Sequence, residues 1–136
     1  MKKRHAFHRP ITLLAGFLLL LSSCQPNSVE NLTRIEVSSS TFAGDKKSSI
    51  TIFEKGGIEH ARLTEEGRIV SEVPLSATQR RSLEQFLEEF KELKEVNLCT
   101  SVDSYTLAFE NGKVQKEDGS CNWNGFKKIK SVLFKV

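Results

Sequence analysis

Three cysteines, three histidines and a run of helical glutamates carry most of the covalent or proton-transfer chemistry open to this 136-residue chain. Cys24 follows Leu21-Ser22-Ser23 directly, at the close of an apolar run. Cys99 and Cys121 are too far apart for a C-x-x-C redox pair, so dithiol exchange chemistry is not expected of them. His60 is the only histidine after Cys24, and no Gly-x-Ser-x-Gly elbow presents a serine to it. It reads as an exposed or half-buried strand histidine in preference to a base. Glu88, Glu89, Glu92 and Glu95 interleave with lysines, as on a solvated helix face, rather than pairing across a cleft. Asp103 and Asp118-Gly119-Ser120 lack the acidic alternation and closing glutamate of a calcium loop, and read as turns. No metal or other cofactor is expected. Trp123, the only tryptophan, stands between Asn122 and Asn124. Such a turn either presents the indole to a partner or sugar ring, or folds it back over the disulfide to cap the core; Asn122, Trp123 and Asn124 are the candidate binding residues.

The elements ahead of Cys24 explain its setting. Met1–Pro10 carries Lys2, Lys3, Arg4 and Arg9 and no acid, and Ile11–Leu21 is almost wholly apolar. A basic start, a short apolar stretch and small residues are the parts of a secretory signal. The stretch is far shorter than the roughly 20 residues that span a bilayer. Leu21-Ser22-Ser23-Cys24 resembles the lipobox of bacterial lipoproteins. An ordinary signal peptide that happens to meet a cysteine is the competing reading. The resemblance implies cleavage before Cys24 and acylation of its thiol. Residues 1–23 are then a lipoprotein signal peptide, 24–31 a lipidated tether and 32–136 a single domain. Two or three acyl chains, at about 0.8 kcal/mol per buried CH₂, hold nearly permanently to a membrane. Gln25, where an aspartate is absent, resembles the outer-membrane pattern and implies a cell-envelope protein facing the periplasm.

Removing the first 23 of 136 residues leaves 113, enough for one modest core. Four of the 20 Lys and Arg lie in the removed part, so 16 basic side chains face 17 acidic ones. A nearly neutral domain has no electrostatic footprint for nucleic acid. Two remaining cysteines in an exported domain most simply form one disulfide, Cys99–Cys121; a pair of buried free thiols in a reducing compartment is the alternative. Its loop would contribute about 3.4 kcal/mol in the chain-entropy account.

The pattern predicts strands at Thr33–Val37, Ser49–Phe53, Ile58–Leu63 and Arg68–Val73, with Gly56-Gly57 and Glu65-Glu66-Gly67 as turns. Ser38–Lys47 is polar and reads as a loop or irregular edge. Ser76-Ala77-Thr78-Gln79 fits a capping box, and Leu83, Phe86, Leu87, Phe90 and Leu93 form one helical stripe. That helix is predicted over Ala77–Val96, with Arg80–Glu84 and Lys91–Glu95 as ion pairs four apart. Tyr105, Leu107 and Phe109 alternate into Asn111-Gly112, a hairpin signal, and Phe126–Leu133 closes the chain as a short helix whose lysines face outward. The order strands, helix, hairpin, helix predicts an α+β fold, an antiparallel sheet with one long and one short helix on one face.

The same order, with Phe42-Ala43-Gly44, Asp103-Ser104-Tyr105-Thr106-Leu107 and Asp118, resembles emfourin-type inhibitors of thermolysin-like metalloproteases. That resemblance implies a small inhibitory domain. The disulfide, the lipobox and a missing double glycine near the first loop are departures from the family. Two expectations follow: a non-enzymatic, lipid-anchored binding module with an envelope protein as partner, or an inhibitor of an exported protease or other hydrolase.

Overall fold

Alternation in the sequence becomes a sheet with one dry face. The structure, a computed structural model, describes residues 28–41, 43–94, 103–120 and 122–136. Cys24, Cys99 and Cys121 lie outside these residues, and with them the acylation and disulfide readings.

A 3-10 turn at Val29–Asn31 leads into strand β1 (Leu32–Thr41), followed by β2 (Gly44–Lys55), β3 (Ile58–Glu65) and β4 (Arg68–Pro74). Helix α1 (Ala77–Lys91), the hairpin β5 (Asp103–Phe109) and β6 (Gly112–Asp118), and helix α2 (Gly125–Phe134) complete it. All six strands form one antiparallel sheet in the order β4-β3-β2-β1-β5-β6, the α+β architecture expected. β1 is therefore central although it comes first: the chain meanders away on one side, and after α1 it returns to pair on the other. Helix α1 has to cross the sheet to allow this.

Ladder register shows why the pattern works. Leu63, Ile50, Ile35, Leu107 and Val114 lie in one cross-strand row, and Val73, Ala61 and Ile52 in another. Their common face meets Leu83, Phe86, Leu87 and Phe90 of α1 and Phe126, Ile129, Leu133 and Phe134 of α2, all buried. Arg34, Thr51, Arg62 and Glu72 are paired across the opposite, solvated face. An antiparallel sheet tolerates one wet face because its ladder satisfies the backbone without a second layer.

Two turns use left-handed backbone. Gly56 and Gly57 have φ of 62° and 75°, and Glu66 and Gly67 have 49° and 76°. Positive φ at both central residues is the primed turn whose twist matches its strands, which glycine adopts without penalty.

The stretch from Ser38 to Lys47 is not a loop. It extends the β1–β2 hairpin through the pairs Ser38–Lys47, Ser39–Lys46, Ser40–Asp45 and Thr41–Gly44. The hairpin grows beyond the edge of the core, so both faces meet water and no apolar alternation marks it. Ser40 Oγ donates to Asp45 Oδ1 at 2.6 Å there.

Helix α1 begins as its sequence dictates. Gln79 N–H donates to Ser76 Oγ at 3.2 Å, and Ser76 N–H donates to Gln79 Oε1 at 2.9 Å, closing the capping box. Ser76→Ala is expected to cost about 1 kcal/mol, read as a fall in chemical-denaturation midpoint at unchanged m-value. The helix stops at Lys91 and not at Val96. Lys116 Nζ, from β6, donates to the Lys91 and Leu93 carbonyls at 2.7 and 3.3 Å. A cation on the last carbonyls satisfies groups that a helix end leaves bare and complements its negative pole. The predicted helical pairs give way too. Arg80 binds Glu59 of β3 at 2.7 Å instead of Glu84, and Lys91 binds Glu88 at 2.6 Å. Glu95 lies outside the described residues. On α2, Lys127 and Lys128 are exposed as expected and Lys130 is half-buried; Lys128 reaches 3.0 Å to Glu89 and Lys130 3.0 Å to Glu65. They tie α2 to α1 and to the sheet.

Candidate functional site

Antiparallel strands give the sheet two distinct ends. One carries the entry at Val29, the Gly56-Gly57 turn and the Glu110-Asn111 turn. The other carries the β1–β2 tip, the Glu66-Gly67 turn and the exit of β6 toward α2. The candidate residues Asn122, Trp123 and Asn124 lie at the second end, between Asp118 and the first turn of α2.

A buried carboxylate shapes this loop. Asp118 is 3% exposed, and Oδ1 accepts from Ser120 N–H at 3.0 Å and from Ser120 Oγ at 2.6 Å. Its Oδ2 accepts from Trp123 N–H at 3.1 Å. Asp118-Gly119-Ser120 is thus the turn expected, held by local side-chain bonds of the kind that make aspartate a turn former. All three bonds go to the loop itself, so the carboxylate is a brace.

Trp123 folds inward. Its ring lies edge-on to Tyr105 with centroids 4.6 Å apart, and tilted against Phe86 at 5.4 Å and Phe90 at 6.0 Å. These are favourable aromatic geometries. The indole is half-buried and caps the core between α1 and β5, while Asn122 and Asn124 stay exposed on either side. Its Nε1 finds no acceptor among the described residues. Beside it Glu89, Glu92, Leu93, Lys94, Ser120 and Asn122 border a shallow open groove of about 550 Å³. That groove mixes an apolar floor with both signs of charge, the composition of a protein-contact surface more than of a reaction centre.

Tyr105 sits beneath the indole, 2% exposed. Burial first, and then the nearby charges of Asp103 and Asp118, raise its phenol well above the ordinary value of 10.0. The folded chain therefore keeps the phenolic proton at pH values where the unfolded chain releases it. Stability from this difference is complete below pH 10 or so and drains as pH climbs from there toward the folded-state value. Tyr105 is the only tyrosine, so phenolate absorbance reports it alone. Expected is no phenolate until the near-ultraviolet signal of the folded core is also lost; an ordinary midpoint in a still-folded chain would refute this. Tyr105→Phe should flatten the alkaline fall in Tm.

The other chemistry-capable side chains lie elsewhere. His60 is on the solvated sheet face, stacked on Phe53 at 5.8 Å, with Nδ1 3.9 Å from Glu72. Glu72 takes Lys55 and Arg62, each at 2.9 Å, and hydrogen bonds from these two hold its carboxyl below the usual range. Arg62 covers the Phe53 ring at 4.6 Å. Among the described residues this cluster pairs His60 with no serine or second histidine; it is a packed patch of strand side chains. Glu88 and Glu89 are engaged by lysines. Among the described residues, no group of three or more His, Asp or Glu is placed to hold a metal ion. A cavity of about 140 Å³ opens between α1 and the β5–β6 hairpin, walled by Leu87, Phe90, Leu107, Phe109 and Val114 with Lys91 and Lys116 beside them. It is the size of an engineered void that admits benzene; its two lysine amines are engaged, Lys91 by Glu88 and Lys116 by the carbonyls that end α1.

No protein-family model, curated protein or solved structure matches the chain. No helix of the described residues is long and apolar enough to cross a membrane. What the fold and loop define is a small α+β domain, its sheet wet on one side, with a braced loop flanked by exposed asparagines at one end.

Sequence reasoning named the loop but not its brace. Asp118 reads as one more turn aspartate until β6 ends on it and its carboxylate turns inward.

Proposed function

We propose that this chain is a lipid-anchored lipoprotein of the cell envelope that acts as a non-enzymatic binding module. The observation that carries the reading is Leu21-Ser22-Ser23-Cys24 after a basic and then apolar start. Acylated Cys24 holds the domain to a membrane, in this reading the periplasmic side of an outer membrane, and an envelope protein is the partner. The loop at Asn122–Asn124 supports the binding role. Asp118 and the aromatic cluster fix its backbone before any partner arrives, so little ordering entropy is lost on contact. Asn122 and Asn124 then supply polar contacts at the rim of the groove.

Crosslinking from native envelopes with the acylated protein as bait tests this. One reproducible partner, lost with Asn122→Lys or Asn124→Lys but kept with Lys113→Ala, is the expected result. Capture indifferent to both loop variants would count against the loop. A partner that is a secreted protease, together with its inhibition by the purified domain, would favour the inhibitor reading. Detected turnover abolished by His60→Ala would overturn the non-enzymatic reading.

A further inference from the structure

We infer that the domain stands on the membrane by the sheet end that carries the Gly56-Gly57 and Glu110-Asn111 turns, with the Trp123 end facing away. The inference rests on the acylation of Cys24 proposed above and deepens it.

The chain is pinned early. Val29 is 5% exposed and belongs to the core. From Cys24 to Val29 the backbone reaches at most about 18 Å, at 3.3–3.6 Å per residue. The pinned point is at one particular end. Glu110 N–H donates to the Asn31 carbonyl at 2.9 Å, and Leu32 pairs with Phe109. The β5–β6 turn is therefore beside the tether. Antiparallel pairing puts Lys55 and Ile58, which flank Gly56-Gly57, at the same end.

The opposite end is out of reach. β6 runs away from the tether from Gly112 to Asp118, and Trp123 N–H binds the Asp118 carboxylate. At about 3.4 Å per residue that strand carries Trp123 some 20 Å farther out. The broad faces give little reason to lie flat. Arg34–Glu36 and Arg62–Glu72 pair on the wet face, and Lys128–Glu89 pairs across the helices. Interfacial binding draws on buried apolar area, and among these charged pairs the exposed large apolar side chains are few: Val132 on α2 and Ile69 and Val70 on the edge strand β4. At the tethered end Ile58 is 55% exposed beside the β2–β3 turn, whereas Ile69, 64% exposed, sits at the far end, beyond the tether's reach. Ile58 offers a small apolar contact to the headgroup region. The consequence is that the groove beside Trp123 and the long β1–β2 hairpin are presented to the aqueous space, open to a large partner.

Trp123 is a built-in reporter. Acylated protein is reconstituted into phosphatidylethanolamine–phosphatidylglycerol vesicles containing a lipid with a nitroxide on its headgroup. The native Trp123 emission should be barely quenched. In a Trp123→Phe background, which keeps an aromatic ring in the cluster, Ile58→Trp should be quenched several-fold more strongly. If that background does not fold, Ile58→Trp alone should add a strongly quenched component to the native emission. Val70→Trp in the same background marks the exposed outer edge of β4 and should be quenched less than Ile58→Trp. Comparable quenching at Trp123 and Ile58→Trp, or stronger quenching at Val70→Trp, would overturn the orientation while the anchor stands. A mature protein whose mass shows no acyl chains on Cys24 would overturn the anchor, and the orientation with it.

Discussion

Trp123→Ala is expected to destabilise the domain by about 3 kcal/mol, at the low end for large aromatic truncations because the ring is only half-buried. A domain of this size typically has 5–15 kcal/mol in total, so the loss should lower Tm by roughly 10–20 °C. The reason is geometric. The indole touches Phe86, Phe90 and Tyr105 at once, so its removal opens a void shared by α1, β5 and the loop before α2. Gly125 supplies an independent check. A Cβ there would overlap the Trp123 ring at Cζ2 and Cε2. Gly125→Ala should therefore destabilise by about 1–3 kcal/mol, the range for overpacking, although alanine suits a first helical turn better than glycine does. With Trp123→Ala already present the clash is gone. Gly125→Ala should then be neutral or stabilising, by up to about 1 kcal/mol. A double-mutant cycle by urea denaturation reads this as a coupling of opposite sign to either single change. Additive losses would show that the indole is not packed on Gly125.

The second large effect is at Ile35. It is 0% exposed on the central strand, and its neighbours in the row are Ile50 and Leu107. Ile35→Ala should cost about 2–5 kcal/mol, with Ile35→Val at about 0.5–1.5. The spread depends on how far the site can collapse, and a residue with strands on both sides and helices above has little room to do so. Equilibrium denaturation with both variants checks the ordering. Truncation of Ile69, which is 64% exposed on the outer strand, should stay within about 0.5 kcal/mol and serves as the control.

Binding studies have to respect these magnitudes. Loss of a partner on Trp123→Ala would mix unfolding with loss of contact, whereas Asn122 and Asn124 are exposed and can be changed without touching the core.

Much of the fold could be read from local pattern, and the exceptions have particular causes. Alternation marked each strand where one face meets the core, as with Tyr105, Leu107 and Phe109. The same rule gave a loop or irregular edge at Ser38–Lys47, where the hairpin pairs on, because a hairpin that outgrows its core has no dry side to write into the sequence. The strand predicted at Ile58–Leu63 puts its apolar residues on both faces. This is ordinary strand geometry, in which Ala61 and Leu63 enter the core while Ile58 and His60 take the wet face. The capping box placed the start of α1 to the residue, since Ser76 and Gln79 need only each other. Its end depends on Lys116, a residue 25 positions after Lys91 in sequence. The helical pair Arg80–Glu84 lost to Arg80–Glu59 for the same reason: a surface arginine has several carboxylates in reach, and packing α1 on β3 chose among them.

The candidate site divides the same way. Its residue types and its turn-forming asparagines are local properties, and local sequence named them. That Trp123 turns inward to cap the core depends on Phe86, Phe90 and Tyr105 converging from a helix and a strand far apart in the chain. Local chemistry and period therefore determine which elements form and where they begin. Long-range pairing determines the rest: the strand order that puts β1 at the centre, the buried role of Asp118, and which end of the sheet carries the loop. Short-range energies are written in neighbouring residues, whereas burial is a property of a surface that exists only once distant segments have met.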